Sequence, residues 1–284
     1  METTIERLKE EVQQVLTTNI LPYWIEKMQD RGNGGFYGRI TGQECLVAEA
    51  EKGAVMNARI LWTFSAAYRL LHKTEYLEIA TRAKREIIDR FYDSQFGGIY
   101  WSFDAHVLPL DTNERKTMNT HLHILEPYTN LFREWKDEML KNRLHNLIRL
   151  FIDEIMDMDT RHLQLFFDDN WRSNYHIISY GHDIEASWLI HEAALVLADR
   201  QLLTEIEMYI VEMAEAAAEG FLSDGGMIYE LRTDSSSIDA DRHWWVQAET
   251  VVGFMNLYQL FGDKLSLSRA VRCWEFIKKY LIDY

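Results

Sequence analysis

Four short segments punctuate the chain at nearly equal intervals, and they constrain its fold more than any other feature. Gly34-Gly35-Phe36-Tyr37, Gly97-Gly98-Ile99-Tyr100 and Gly225-Gly226-Met227-Ile228-Tyr229 each join a glycine pair to β-branched, aromatic or other apolar residues, which is hairpin chemistry. Leu163-Gln164-Leu165-Phe166-Phe167 takes the same place without glycine. The segments recur roughly every 60 to 65 residues, the mark of a repeat. Helical periodicity fills the stretches between them and predicts helices over 4–29, 51–72, 75–93, 115–135, 137–157, 183–199, 201–220, 242–261 and 265–281. Each unit then reads helix, hairpin, helix. Stacked helical hairpins bury one helix of each pair and leave the other outside, so the expectation is one all-α domain over 1–284 with short β-hairpins between helices.

Composition narrows the function. The chain is 47% hydrophobic and 13% aromatic, enough to build a large core. A net charge of -15 repels nucleic acid and anionic membranes, so neither is expected as a partner. Met1 to Val12 is charged and polar and no uninterrupted apolar stretch reaches bilayer length, which predicts a cytoplasmic protein. Cys45 and Cys273 lack metal-ligand spacing, so no disulfide framework or thiolate zinc site is expected. The Gly-rich phosphate loop, the Gly-x-Ser-x-Gly elbow and the His-Glu-x-x-His zinc helix are all missing.

The chemistry gathers where helices follow hairpins. The second helix carries Met56-Asn57-Ala58-Arg59 and Trp62, and the fourth Met118-Asn119-Thr120-His121-Leu122-His123. The sixth opens with His182-Asp183-Ile184-Glu185 and Trp188, and the eighth with Trp244-Trp245-Val246-Gln247-Ala248-Glu249. In a ring these ends converge on one axis and form a carbohydrate-like site. Trp188, Trp244 and Trp245 can pack on the C–H face of a pyranose while Asn57, Glu249 and their neighbours hydrogen-bond its hydroxyls. Arg59 keeps its charge and can hold a carbonyl oxygen. His182 sits at a helix start, where the dipole favours neutral imidazole and hence a general base; alternatively it caps the helix or bonds Glu185. His121 and His123 are two apart and cannot share a helix face, which argues against a metal pair. A bend is expected at Pro127, which removes a helical amide.

These residues resemble the N-acylglucosamine 2-epimerase family, closest to its cellobiose 2-epimerase branch. The resemblance rests on Asn33-Gly34-Gly35-Phe36-Tyr37-Gly38, Arg59-Ile60-Leu61-Trp62, Gly97-Gly98-Ile99-Tyr100-Trp101 and Lys116-Thr117-Met118-Asn119. It rests most specifically on Tyr180-Gly181-His182-Asp183-Ile184-Glu185-Ala186 and Trp244-Trp245-Val246-Gln247-Ala248-Glu249. It implies an (α/α)6-barrel toroid and active-site roles for Arg59, His123, His182, Glu185, Trp188, Trp245 and Glu249. The implied reaction opens the reducing-end ring of cellobiose or a related β-1,4-disaccharide, removes the C2 proton and returns one to the opposite face of an enediolate. Arg59 and His123 are implied to steady the oxyanion and Glu185 to orient His182 or a hydroxyl, with no cofactor and no metal.

The family pattern has twelve helices, against nine here. One repeat is expected to be missing between Trp101-Ser102-Phe103-Asp104 and Lys116, a gap that Leu110-Asp111-Thr112-Asn113-Glu114 bridges. The family's last inner helix, with a Trp and a second catalytic His, has no counterpart among the 284 residues. Exposed barrel edges are then expected to self-associate. Two other readings stay open: a glycoside hydrolase using Asp183 and Glu249, and a non-catalytic sugar-binding relic.

Overall fold

A computed structural model describes residues 2–103 and 115–283; the bridging stretch 110–114 lies outside the described residues. The chain divides into two compact units, Met1–Asp93 with Ile99–Asp111, and Ser94–Gly98 with Thr112–Tyr284.

In the first unit, α1 (Glu2–Val15) runs through a π-helical turn at Leu16–Ile20 into α2 (Leu21–Glu26), whose first turn holds Pro22. The short strand β1 (Lys52–Gly53) leads into α3 (Ala54–Leu71), which returns as α4 (Thr74–Glu86) with a π-helical end at Ile87–Phe91. β2 (Ser102–Phe103) then pairs antiparallel with β1.

In the second unit, β3 (Lys116–Thr117) leads into α5 (Met118–Glu134), which stays helical through Pro127. α6 (Glu138–Leu150) follows, with a third π-helical end at Phe151–Ile155, and then β4 (Phe166–Phe167), which pairs with β3. β5 (Ile177–Ser179) opens α7 (Tyr180–Leu197), and α8 (Arg200–Ala217) returns to a hairpin. β6 (Glu230–Arg232) and β7 (Ser237–Asp239) complete a three-stranded sheet with β5, before α9 (Trp244–Phe261) and α10 (Lys264–Tyr280). The described helices thus match the predicted ones to within a few residues; the widest misses at a helix start are of three residues, α3 and α5 beginning late and α7 early.

Two periodicities account for which helices are inner and which outer. Along α8, Leu202, Ile206, Ile210, Met213 and Ala217 are buried at three- and four-residue spacing, a single apolar stripe. α7 buries residues all round, from Ile184 and Ala186 to Ala193, Ala194 and Leu197, because α5, α6, α8 and α9 all pack against it. Truncating such a residue, Leu189→Ala for instance, is expected to cost about 2–5 kcal/mol.

The hairpins repeat in detail. Isolated antiparallel bridges join Gln29 to Phe36, Tyr92 to Ile99, Met156 to Leu163 and Phe221 to Met227. The glycine pairs are required by both conformation and space. Gly35 has φ +60°, and a Cβ there falls 2.3 Å from Glu86 Cδ; Gly98 has φ +82°, and a Cβ there falls 2.3 Å from Trp171 Cζ2. The third hairpin manages without glycine by placing Arg161 at φ +66° and by letting the Asp157 carboxylate accept the amides of Asp159 and Thr160, each at 2.9 Å. In the first unit the turn is pinned by a buried ion pair: Lys52 Nζ reaches Asp30 Oδ2 at 2.8 Å and donates to the Gly34 carbonyl at 2.7 Å.

Candidate active site

The polar ends of the inner helices divide into two registers. Asn57, His121, Asp183 and Gln247 each lie three residues into their helix, and each is fully buried. Two residues further on stand Arg59, His123, Glu185 and Glu249, which are exposed or half-buried. On a helix, two residues turn the side chain by about 200°, so the two sets face nearly opposite ways.

The first register ties each helix to its hairpin or to its own start. Gln247 Oε1 accepts the Met227 amide at 2.8 Å, and its Nε2 donates to the Met227 carbonyl at 2.8 Å. Asp183 accepts the Leu163 amide at 2.9 Å and the His162 imidazole at 2.7 Å. Burial raises the Asp183 carboxyl against the pull of His162. Burial also acts to lower His162, but the hydrogen bond to Asp183 and the charges of Asp183 and Glu219 outweigh it and raise the imidazole. His121 Nδ1 donates to the Thr117 carbonyl at 2.7 Å, and the ring meets Trp171 edge-on at 5.2 Å. Asn57 Nδ2 donates to the Gly53 carbonyl at 2.9 Å. Asn57 was expected to bind substrate; the structure instead buries it within its own helix turn, because it occupies this inward register.

The second register, with the residues flanking it, carries the candidate chemistry. α7 packs on α5 and on α9. Two glycines make the α7–α9 approach close. A Cβ on Gly181 falls 2.7 Å from Val246 Cγ2 and 2.9 Å from Trp245 Cη2, while one on Gly253 falls 2.5 Å from Ile184 Cγ1. The close contact sets the Trp245 ring 4.8 Å from the His182 ring. Tyr229 abuts Trp245 edge-on at 6.3 Å and overlaps His243 at 4.0 Å, so an aromatic row runs out from His182.

His182 is pushed down to about 4, first by burial and then by the nearby charge of His123, which places His123 of α5 close to it. The imidazole is therefore neutral at pH 7, with burial and the His123 charge as the causes rather than the helix start. Its Nδ1 lies 2.8 Å from Ser179 Oγ, so its partner is neither Glu185 nor a backbone cap. Glu185 stands one turn along on the same helix face. Across the α7–α9 contact, Trp188 Nε1 donates to Glu249 Oε2 at 2.8 Å. Burial raises the Glu249 carboxyl, and the indole bond works against that rise.

Two other expected residues lie apart from this cluster. Trp244 is 73% exposed and lines an apolar groove of about 400 Å³ with Ala248, Val251, Trp274, Ile277 and Leu281. It was expected beside the sugar; a one-residue step turns a helical side chain by about 100°, so Trp244 and Trp245 cannot both face His182. Arg59 is exposed on α3, within the first unit. Sequence reasoning missed Ser179, Tyr229 and His243. Ser179 falls just before the predicted helix and was given no role, and Tyr229 read only as part of a hairpin.

Among the described residues no group of three His, Cys, Asp or Glu side chains is placed to hold a metal, and no helix is long and apolar enough to cross a membrane.

Residues 104–284 match the family described as N-acylglucosamine 2-epimerase (GlcNAc 2-epimerase). The cellobiose 2-epimerase of Bacteroides fragilis is 51% identical, over 98% of this chain and 89% of its own. That alignment runs over 348 residues, more than the 284 of this chain, so the relative carries stretches with no counterpart here. The solved cellobiose 2-epimerase of Bacillus thermoamylovorans is 34% identical, covers 100% of this chain and 89% of its own, and superposes with a TM-score of 0.59. A family 76 α-mannanase of Bacteroides thetaiotaomicron, at 15% identity, covers 97% of this chain and 70% of its own with a TM-score of 0.66, a likeness of fold alone. These structures are (α/α)6 barrels, and the chain shares their all-α class.

Proposed function

The chain belongs to the N-acylglucosamine 2-epimerase family, and from that premise we propose that it inverts C2 of the reducing-end sugar of cellobiose or a related β-1,4-disaccharide. The observation that carries this is His182: a neutral imidazole held against an indole face, with a second histidine beside it.

Ring opening places an aldehyde next to C2 and makes the C2 proton acidic. His182 takes that proton, and the electron pair moves onto the carbonyl oxygen as an enediolate forms. A base that is already neutral at pH 7 needs no prior deprotonation. His123 holds the developing oxyanion, Trp245 and Trp188 pack on the sugar, and Glu185 and Glu249 bond its hydroxyls. Inversion is complete when a proton returns to the opposite face. The reading needs no metal or organic cofactor.

Hydrolysis of the glycosidic bond is the weaker reading, because Asp183, the carboxylate it would pair with Glu249, is committed to His162 and the Leu163 amide. Incubation with cellobiose and separation of the products tests the choice. The glucosyl-mannose epimer is expected; release of free glucose would overturn the proposal.

Two further parts belong to the same proposal. Cys45 and Cys273 are both free thiols, which suits the reducing cytoplasm, and cell fractionation tests that placement. α1 exposes Ile5, Leu8, Val12 and Val15 at three- and four-residue spacing, beside Glu6, Glu10 and Glu11. The α9–α10 groove is apolar, and α10 carries Lys264, Arg269, Arg272, Lys278 and Lys279. A second copy's α1 is the complementary occupant, so sedimentation should show self-association that Trp274→Glu weakens.

A further inference from the structure

Ser179 holds the N-cap of α7, yet its side chain makes no capping hydrogen bond. The caps of α5, α6, α8 and α10, which are Thr117, Asp137, Asp199 and Asp263, all accept amides of the first turn. Such a cap stabilises a helix by about 1 kcal/mol, and serine is among the best residues for it. Here the hydroxyl, fully buried, lies instead 2.8 Å from Nδ1 of His182. The backbone of Ser179 pairs with Glu230 of β6, so the sheet fixes where the hydroxyl sits.

That contact leaves Nε2 as the nitrogen of His182 open to substrate. A neutral imidazole carries one proton, and its partner decides which nitrogen keeps it. We propose that Ser179 is a positioning residue for His182: its Oγ accepts the Nδ1–H and so keeps the lone pair on Nε2, where the C2 proton of the sugar is taken up. The inference rests on the reading of His182 as the base. In the step, the C2–H bond breaks, an Nε2–H bond forms, and the released electron pair passes to the carbonyl oxygen. The Nδ1–H···Oγ bond persists in the imidazolium, so nothing at the serine rearranges as the proton moves. The charged groups on the packed elements are His123 of α5 and Glu249 of α9, with Glu185 on α7 itself; Trp188 already binds Glu249, and His123 is the one that weighs on His182.

The test uses the full chain in two ways. Nitrogen NMR of labelled imidazole in the unsubstituted protein should show His182 as the Nδ1–H tautomer at pH 7; a dominant Nε2–H form overturns the proposal, whatever the variants do. Ser179→Ala should lower kcat on cellobiose about 10- to 100-fold with KM within about twofold, because the base is misaligned in the transition state and binding is intact. Ser179→Thr, which keeps the hydroxyl, should recover most of the rate. Unchanged kcat in Ser179→Ala, or no recovery with Thr, overturns the proposal. The parent reading fails separately: if His182→Asn keeps full activity, His182 is not the base at all. Should Ser179→Ala fold poorly, the tautomer measurement still decides.

Discussion

The N-terminal ends of α5 and α7 are two versions of one construction, and the contrast between them separates scaffold from chemistry. Each follows a short strand, begins with a hydroxyl residue at its cap, and presents a histidine in its first turn whose imidazole is pushed down to about 4 by burial. In α5 the cap behaves ordinarily: Thr117 Oγ1 accepts the Thr120 amide at 3.1 Å, and His121 donates to a carbonyl that can only accept. That histidine is sealed against Trp171 and Gly98. In α7 the cap is turned from the backbone to the imidazole, and the ring lies half-buried against an indole. A depressed titration point is therefore no mark of function by itself; what distinguishes His182 is a hydroxyl on Nδ1 and an indole beside the ring.

The largest expected difference is in activity. His182→Asn should lower epimerisation by about 10²- to 10⁴-fold, the loss typical of an acid/base group. His121→Asn should keep near-normal kcat per folded molecule, because an asparagine amide can still reach the Thr117 carbonyl. Comparable kcat losses in the two variants would dissolve the contrast.

Close packing gives the next test. Gly181→Ala drives a methyl into Trp245 and Val246 and should both destabilise the protein by about 1–3 kcal/mol and reduce kcat, by shifting the indole from His182. Gly98→Ala meets Trp171 and strains a left-handed φ, so it should destabilise by a similar or larger amount and leave kcat per folded molecule alone. Denaturant melts paired with rates on the folded fraction separate the two.

Stability against pH follows from His121. Its imidazole stays neutral in the folded chain to about pH 4 and titrates near 6.5 when unfolded. Between those values the unfolded chain binds the extra proton, so stability is full above pH 6.5 and falls as the pH drops toward 4. At pH 5 the loss from this one group is about 2 kcal/mol. Urea melts of His121→Asn should therefore lose about that much less than the unsubstituted protein between pH 7 and pH 5; equal slopes would show that His121 does not titrate as its burial implies.

The smallest effect is at the ordinary cap. Thr117→Ala should cost about 0.5–2 kcal/mol of stability with no change in kcat, whereas Ser179→Ala should do the reverse in emphasis.

Much of this was legible in the sequence, and the exceptions have physical reasons. The glycine hairpins and the helical periods located the helices because a repeat states its pattern several times. The start of α7 was placed three residues late, since Gly181 reads as a loop residue; it is glycine so that α9 can approach. His182, Glu185, Trp188, Trp245 and Glu249 were all singled out and do lie on adjoining helices, and His123 with them. Asn57 and Trp244 were drawn in because polarity and aromaticity do not reveal a helix's rotation. The rotation was nevertheless encoded: Asn57, His121, Asp183 and Gln247 recur at the repeat length, and so do Arg59, His123, Glu185 and Glu249 two residues on. Aligning the repeats on themselves would have separated the buried set from the site. Ser179 could not have been found this way, because a serine before a helix predicts a cap, and only coordinates show the hydroxyl turned aside.

The most direct measurement of the central claim is proton NMR of cellobiose in D2O, following deuterium at C2 of the reducing-end sugar with the unsubstituted protein and with His182→Asn. The account predicts C2 exchange together with the mannose epimer in the first sample and neither in the second. No exchange in either sample, or equal exchange in both, would contradict the assignment of His182 as the base that opens the reaction.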